Sequence, residues 1–255
     1  MRNKVLMIEE ISANAFPAIL TEVYDGWILR YSKGYTYRGN SIIPLYNSTL
    51  DLYQKIKVCE NKFFQKGLPC VFKMTECSDS GLDSLLQSRQ YTVQKKTHIM
   101  EVSITNMQNL NLDKVAIDYS ANENWLDDFV VLNGTPREPV KSTIKTLIKS
   151  IGNPVFCASI YQDKIMVACG LGVLENGYIG LFDIRVHEQF RRKGLGTMIC
   201  QKIIQEGYKK RAHSAYLQVE QTNDIAINMY EKIGFKRLYT YWYRLKSSSD
   251  AVISD

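Results

Sequence analysis

A short basic turn that contains two glycines separates an apolar run from an amphipathic run in the second half of the chain. The turn has the sequence Arg-Arg-Lys-Gly-Leu-Gly at residues 191–196, between an apolar run at 178–186 and an amphipathic run at 197–210. This order predicts a strand, a tight turn and a helix. Glycines let the backbone turn sharply and approach a ligand, and a helix start offers unpaired N–H groups with partial positive charge. The turn therefore has the design of an anion site that suits a diphosphate.

The turn on its own allows two interpretations. It is neither a G-x-G-x-x-G motif nor a Walker loop, because no Lys-Ser/Thr pair follows the last glycine. A basic turn that only caps an ordinary helix would explain the same residues. A second segment decides between the two interpretations: Asn-Asp-Ile-Ala-Ile-Asn-Met-Tyr-Glu-Lys-Ile-Gly-Phe at 223–235.

Together, the two segments resemble the GNAT superfamily of acyl-CoA-dependent N-acetyltransferases. The turn matches the family's Q/R-x-x-G-x-G/A pyrophosphate loop, with Arg191 in the lead position, and the second segment matches its N-x-x-A-x-x-x-Y-x-x-x-G-F helix. The resemblance is strong over 166–245 and weaker elsewhere. It implies an α/β (α+β) fold: a mixed, mostly antiparallel twisted sheet flanked by helices, in which a parallel pair of strands splays at the cofactor site.

The same resemblance implies the reaction and its residues. An acetyl group passes directly from acetyl-CoA to a primary amine, and Tyr230 is the general acid for the departing thiolate. The implied cofactor contacts come from three segments: Ile184, Arg185 and Val186 at a strand end, Arg191, Arg192, Lys193, Gly194, Leu195, Gly196 and Thr197 in the turn, and Asn223 and Asn228 in the following helix.

The proton chemistry rests on three side chains. An unperturbed phenol titrates near pH 10 and a thiol near 8.5, so Tyr230 can hydrogen-bond the developing thiolate and relay a proton as charge builds. A core aromatic residue is the alternative for Tyr230, and the N-x-x-A-x-x-x-Y spacing favours the functional one. Candidates for the general base are Asp183, on the strand before the turn, and Glu220, at the end of the next strand, both argued only from proximity.

Composition narrows the class of protein. Amine attack on a thioester needs no metal, and six cysteines without a C-x-x-C motif, with only three histidines, argue against zinc. The N-terminus lacks the apolar core of a signal peptide, and no run of about 18 uncharged apolar residues could span a membrane. We therefore expect a cytoplasmic protein with reduced cysteines. A net charge of +6 suits a polyanionic cofactor, and nucleic acid is disfavoured because basic residues are not interleaved with aromatic ones in any stripe.

A repeat of the element order runs through the chain. The first half predicts a helix at 7–18, strands at 24–31 and 35–45, a helix at 50–67, a strand at 70–75, a helix at 82–88 and an extended run at 91–102. A shift of 144 residues places Gly26 on Gly170 and Tyr91 on Phe235. We interpret the halves as two copies of one unit, although any alternation of helices and strands shows some such periodicity.

The copies differ at the residues proposed for chemistry. Under the same shift Arg191, Gly194 and Gly196 correspond to Asn47, Leu50 and Leu52, and Tyr230 corresponds to Leu86. We therefore expect a degenerate GNAT-like domain without a cofactor loop at 1–104, a catalytic domain at 112–246 and a flexible tail at 247–255. The boundary is placed in the asparagine-rich segment 103–113.

The acceptor is the least defined partner. The resemblance places Trp125, Phe129 and Arg137 near the substrate, but we favour core positions for the two aromatic residues. The acceptor is a small-molecule or peptide amine; amino acids, polyamines, aminoglycoside-like drugs and protein N-termini all remain open. The alternative functions are a non-catalytic acyl-CoA sensor and, on charge alone, a modifier associated with nucleic acid. A homodimer also remains open.

Overall fold

The computed structural model describes residues 2–104 and 110–247, and the chain forms two compact units. The first unit combines Met1–Thr97 with Thr240–Asp255, and the second is His98–Tyr239. The expected boundary within 103–113 therefore lies too late in the sequence, and the last strand ends in the first unit instead of the second. The predicted tail, from residue 248 onward, lies outside the described residues.

The first unit contains three helices and most of six strands among its described residues. In chain order they are α1 (Arg2–Ala15), β1 (Leu20–Tyr24), β2 (Trp27–Tyr31), β3 (Ile42–Pro44), α2 (Leu52–Phe64), β4 (Cys70–Met74), α3 (Leu82–Ser88), the first half of β5 (Thr92–Ser103) and the last part of β11 (Lys236–Lys246). The strand order is β1-β2-β3-β4-β11-β5. Its core contains Trp27, Phe63 and Phe72, all fully buried.

Two of the strand predictions for the first unit are wrong. The strand expected at 24–31 begins only at Trp27, after a turn in which Asp25 and Gly26 adopt positive φ values of 43° and 82°, and strand β1 before that turn was not predicted. The strand expected at 35–45 shrinks to Ile42–Pro44. Before it, the Asn40 side chain accepts hydrogen bonds from the backbone N–H groups of Ser32 (2.6 Å) and Gly34 (3.0 Å), which fixes a loop. Local side-chain bonding therefore replaces a strand ladder there.

The second unit has the sheet that positions the site. Its elements are the second half of β5, then β6 (Ala116–Asp118), α4 (Glu123–Leu132), α5 (Val140–Lys149), β7 (Val155–Gln162), β8 (Ile165–Glu175), β9 (Tyr178–Val186), a 3₁₀ turn (Glu188–Phe190), α6 (Leu195–Lys209), β10 (Ser214–Glu220), α7 (Asp224–Ile233) and the start of β11. The strand order is β6-β7-β8-β9-β10-β5-β11. Strands β6 to β9 pair antiparallel, whereas β9 and β10 are parallel. The expected mixed, mostly antiparallel sheet with flanking helices is confirmed.

The two units share one order of elements, apart from β6 and one additional helix near the start of the second unit. With the shift of 144 residues, the first residues of β4 and β5 fall on those of β10 and β11, and the first residue of α2 falls one position inside α6. In each unit, strands joined by antiparallel pairing lead to one parallel pair, β3–β4 in the first and β9–β10 in the second.

The final strands of the two repeats are intercalated. In the first unit β11 lies between β4 and β5, whereas in the second unit β5 lies between β10 and β11. The register of β11 on β4 runs from Trp242 opposite Met74 to Lys246 opposite Cys70. Neither repeat, taken as a continuous piece of sequence, therefore contains all the strands of its sheet.

Two further findings bear on the sequence predictions. All six cysteines are buried free thiols. Among the described residues, none of the helices combines the length and the apolar character that crossing a bilayer requires.

A chain that ends at Tyr239 should lose the cooperative folding of the first unit. It lacks the partner of β4, and it also lacks Arg244, whose guanidinium lies 2.7 Å from the Asp83 carboxylate. An unpaired central strand exposes backbone groups that were hydrogen-bonded. We expect a lower melting temperature and rapid proteolysis within 1–97, measured by circular dichroism and limited trypsin digestion. A chain that ends at Ser247 is the control. Equal melting temperatures of the two truncated chains would contradict the conclusion that the first unit needs β11 to fold.

Candidate active site

Strand β9 bends sharply before its end because of a β-bulge. Cys169 of β8 pairs with Arg185 and Leu171 pairs with Phe182, so both Asp183 and Ile184 lie opposite Gly170. Asp183 adopts a φ of +50°. Gly170 leaves the space for the bend, because a methyl group at this glycine would lie 2.6 Å from the Ile184 Cδ1 atom and 2.6 Å from the Ile199 Cγ2 atom. The bulge therefore redirects the last residues of β9.

The parallel strands β9 and β10 separate just before this bulge. Their registered pairs run only from Tyr178 opposite Ser214 to Leu181 opposite Leu217. Beyond them β9 continues to Val186 and β10 to Glu220, so the edges that face each other no longer form a ladder. This is the predicted splay, and it leaves a notch that a ligand with amide groups can bridge.

The basic turn lies directly after the notch and ends in an uncapped helix. Arg192 and Gly194 both adopt positive φ values, 60° and 76°. Gly194 is the residue before α6, and no side chain caps the helix start. The Arg191 Nε atom donates to the backbone oxygen of Val186 at 3.4 Å, which fixes the turn against the end of β9. The first N–H groups of α6 are therefore available to an anion.

The two glycines of the turn have different roles. Nothing lies within 4 Å of a methyl group placed on Gly194, so this residue is needed for its positive φ. A methyl group on Gly196 would come within 3.1 Å of the Met229 Sδ atom and 3.6 Å of the Val186 Cγ2 atom. Gly196 therefore packs the start of α6 between β9 and α7, which is a role in helix packing that the sequence motif does not show.

The three basic side chains of the turn are exposed. Among the described residues, no carboxylate lies within 4 Å of Arg191, Arg192 or Lys193, and the Lys193 ammonium lies 4.9 Å from the centre of the Phe190 ring. The turn therefore has positive formal charge beside the positive end of the helix dipole.

Helix α7 is capped at both ends by the residues that the sequence indicates. The Asn223 Oδ1 atom accepts a hydrogen bond from the backbone N–H of Ala226 at 3.2 Å, and Gly234 closes the helix with a φ of +109°. Because the oxygen of Asn223 is used in the cap, its amide nitrogen is the group that remains for a ligand. Asn228 is exposed on the same helix.

Tyr230 is the most buried of the predicted site residues in α7. Its side chain is 8% exposed, its ring meets that of Phe235 edge-on at 5.9 Å, and it belongs to the same core as Cys200 of α6. Burial, with a smaller contribution from Cys200, raises the pKa of the Tyr230 phenol well above its ordinary value. The hydroxyl therefore stays protonated and is a hydrogen-bond donor at neutral pH.

The two candidate bases lie at the ends of the separated strands. Asp183 is half-buried within the bulge of β9, and Glu220 is exposed at the last position of β10. The backbone oxygen of Glu220 accepts a hydrogen bond from the Asn223 N–H at 2.9 Å, which leads the chain into α7.

The acceptor-side predictions have two outcomes. Trp125 and Phe129 are buried and stack at 5.3 Å with an angle of 3°, so the core interpretation that we favoured is confirmed. Arg137 is exposed in the segment between α4 and α5.

One residue near the site was missed from sequence. Ile225 is 82% exposed and lies one helical turn before Met229, the residue that contacts Gly196. Residues four apart share a helix face, so Ile225 lies on the face of α7 directed toward the start of α6. The available signal was an isoleucine directly after the polar pair Asn223 and Asp224, at the start of the helix.

A bulged strand, a parallel pair that separates and an uncapped helix start in this order define a class of protein: the chain is an acyl-CoA-dependent N-acetyltransferase with the GNAT fold. Residues 3–244 match the family described as "Probable histone acetyltransferase Rv0428c C-terminal", and the chain belongs to this family.

Individual relatives agree with this classification. The chain is 27% identical over 245 residues to "Uncharacterized N-acetyltransferase YobR" of Bacillus subtilis, covering 94% of this chain and 97% of that protein. It is 28% identical over 112 residues to "[Ribosomal protein bS18]-alanine N-acetyltransferase" of Salmonella typhimurium, covering 43% and 76%. A solved structure of a "Tandem GNAT protein from the clavulanic acid biosynthesis pathway" has a TM-score of 0.62 at 8% identity and covers 97% and 89%, which is a likeness of fold.

Replacing Gly194 with alanine should destabilise the protein by about 1–2 kcal/mol, because alanine resists the positive φ that this turn requires. Gly152→Ala is the matched control, since Gly152 has no positive φ and its methyl group would meet nothing within 4 Å. Chemical denaturation of both variants measures the difference in the free energy of unfolding. Equal stability of the two variants would show that the turn is not constrained as described.

Proposed function

We propose that the second unit binds acetyl-CoA across the notch between β9 and β10 and transfers its acetyl group directly to a primary amine. The observation that supports this most is the uncapped start of α6, with its exposed basic turn, packed through Gly196 against the helix that carries Tyr230. A diphosphate held at the helix start leaves the rest of the cofactor free to follow the end of β9.

The cofactor contacts follow from the available groups. The first N–H groups of α6 and the charges of the basic turn bind the diphosphate. The backbone of Ile184, Arg185 and Val186, unpaired toward β10, hydrogen-bonds the amides of the pantetheine arm. The amide nitrogen of Asn223 and the side chain of Asn228 supply further contacts from α7.

The chemical step uses a neutral amine. Its nitrogen attacks the thioester carbonyl, the carbon–sulfur bond breaks as the amide forms, and the departing sulfur takes a proton through its hydrogen bond with the Tyr230 hydroxyl, which regains a proton from water. The proton lost by the amine passes to Asp183 or Glu220, one at the end of each separated strand, directly or through water. A phenol with a raised pKa is a weak acid, so its main contribution is a hydrogen bond that strengthens as charge builds on sulfur.

We propose a peptide amine as the acceptor. The support is the Salmonella relative, whose name gives an alanine of ribosomal protein bS18 as its substrate. A small-molecule amine is the alternative within the same reaction. We also propose that the first unit is a degenerate GNAT-like domain without a cofactor site, and the six buried free thiols suit the reducing cytoplasm.

An amine panel tests the proposed reaction. Purified protein is mixed with acetyl-CoA and, separately, with alanine-led peptides, free amino acids, polyamines or an aminoglycoside, and free thiol is followed with a chromogenic disulfide. We expect thiol release with the peptide above the amine-free rate. Thiol release only with small amines would show that the acceptor is a small-molecule amine and not a peptide. If acetyl-CoA raises the melting temperature but no amine releases thiol, the sensor interpretation is correct.

Tyr230→Phe should lower kcat by about 100-fold and leave the affinity for acetyl-CoA nearly unchanged. The phenyl ring keeps the packing against Phe235, so only the hydroxyl is lost. Because burial raises the pKa of this phenol, the wild-type rate should not fall from phenol ionisation at about pH 10, where an ordinary tyrosine titrates. Tyr208→Phe, at an exposed tyrosine of α6, is the control. A parallel loss of affinity and turnover would refute the acid role.

A further inference from the structure

The first unit contains its own version of the strand–turn–helix arrangement. Strand β3 leads through residues 45–51 into α2, and β3 is parallel to β4 as β9 is to β10. This segment corresponds in the repeat to the basic turn of the second unit, but it has neither the glycines nor the arginines.

A carboxylate of the chain itself lies at this turn. The side chain of Asp25 accepts hydrogen bonds from the backbone N–H groups of Thr49 (3.0 Å) and Leu50 (3.0 Å), and from the hydroxyls of Thr49 (2.6 Å) and Ser48 (2.7 Å). The hydrogen bond from the Thr49 hydroxyl, followed by those from Leu50 and Ser48, holds the pKa of Asp25 well below its usual range. The group is therefore an anion held by several donors just before a helix.

A buried ammonium completes this set of donors. Lys55, in the first turn of α2, is 0% exposed, and its Nζ atom lies 3.0 Å from the Asp25 Oδ2 atom and 2.8 Å from the Ser48 Oγ atom. The same ammonium lies 3.8 Å from the centre of the Trp27 ring. Backbone N–H groups, hydroxyls and a lysine that converge on one anion are the groups that proteins use to bind phosphate.

The turn that carries Asp25 is held against this loop by the fold. Tyr46 donates its N–H to the Gly26 oxygen at 3.0 Å, and a methyl group on Gly26 would lie 2.5 Å from the Asn47 oxygen. The β1–β2 turn and the loop before α2 are therefore in backbone contact. Because of this contact, the short side chain of Asp25 lies among the donors of the loop.

We propose that Asp25 is a built-in anion that fills the first unit's counterpart of the phosphate turn. An exogenous phosphate or diphosphate then binds in the first unit only when this carboxylate is removed. Two features therefore keep phosphate out of the first unit: its loop lacks the glycines and arginines of the basic turn, and Asp25 already occupies the donors. The proposal does not depend on the acceptor or on the catalytic role of Tyr230.

Chemical rescue tests the proposal on the full chain. In Asp25→Gly the carboxylate is removed, and glycine suits the φ of 43° at this position. The melting temperature is measured in sodium chloride and in inorganic phosphate or pyrophosphate at matched ionic strength. We expect a loss of several degrees in chloride, of which phosphate restores about 4 °C more than it gives the wild type. The second unit's turn is present in every variant, so its own response to phosphate cancels in this difference.

Glu9→Gln is the matched control, because Glu9 of α1 also pairs with a buried lysine, Lys73, at 2.6 Å, but is not one of the residues that hydrogen-bond Asp25. Phosphate should stabilise this variant no more than the wild type. Should Asp25→Gly not fold, Asp25→Ala also removes the carboxylate, leaves its space free beside Lys55 and carries the same expectation. An excess phosphate effect in neither Asp25 variant, or an equal one in Glu9→Gln, would overturn the proposal.

Discussion

The separation of β9 from β10 is the constraint on which the candidate site depends. Four residues of each strand pair, and then a bulge at Asp183 and Ile184 turns β9 away. Gly170 makes this bend sterically feasible, because any side chain there would overlap Ile184 and Ile199. A sheet that continued its ladder through Val186 would leave no backbone groups for a ligand, and the basic turn would follow a closed edge.

The start of α6 converts this notch into an anion site. The helix begins without a side-chain cap, and its neighbours Arg191, Arg192 and Lys193 have no carboxylate partner among the described residues. The first N–H groups of a helix need a partner from a side chain, water or a ligand, and Asn223 supplies one for α7. An uncapped start with surrounding positive charge is therefore favourable mainly when an anion is bound there.

In the first unit, the chain itself supplies the anion at the start of the equivalent helix, α2. Its equivalent loop binds the carboxylate of Asp25 and the ammonium of Lys55, which neutralise each other and leave no free donor set. A buried ion pair contributes little net stability unless its remaining hydrogen-bonding capacity is satisfied. Here the hydroxyls of Ser48 and Thr49 and two backbone N–H groups provide that satisfaction. The repeat therefore preserves the local architecture while the chemistry of its two loops differs.

The sequence by itself determined the local elements and the family to which the chain belongs. Helices α3 and α4, strand β9, and the caps at Asn223 and Gly234 follow from periodicity and cap residues, which act over a few positions. Tertiary structure decided what depends on distant partners. Strands β5 and β11 occupy equivalent positions in the two repeats, and β11 pairs beside β4 while β5 lies beside β10. The periodicity of the sequence cannot distinguish this pairing from the reverse one. The contact of Gly196 with Met229 and the hydrogen bond that Thr49 donates to Asp25 join residues more than twenty positions apart. The folded sheet, and not the neighbours in the chain, sets such partners.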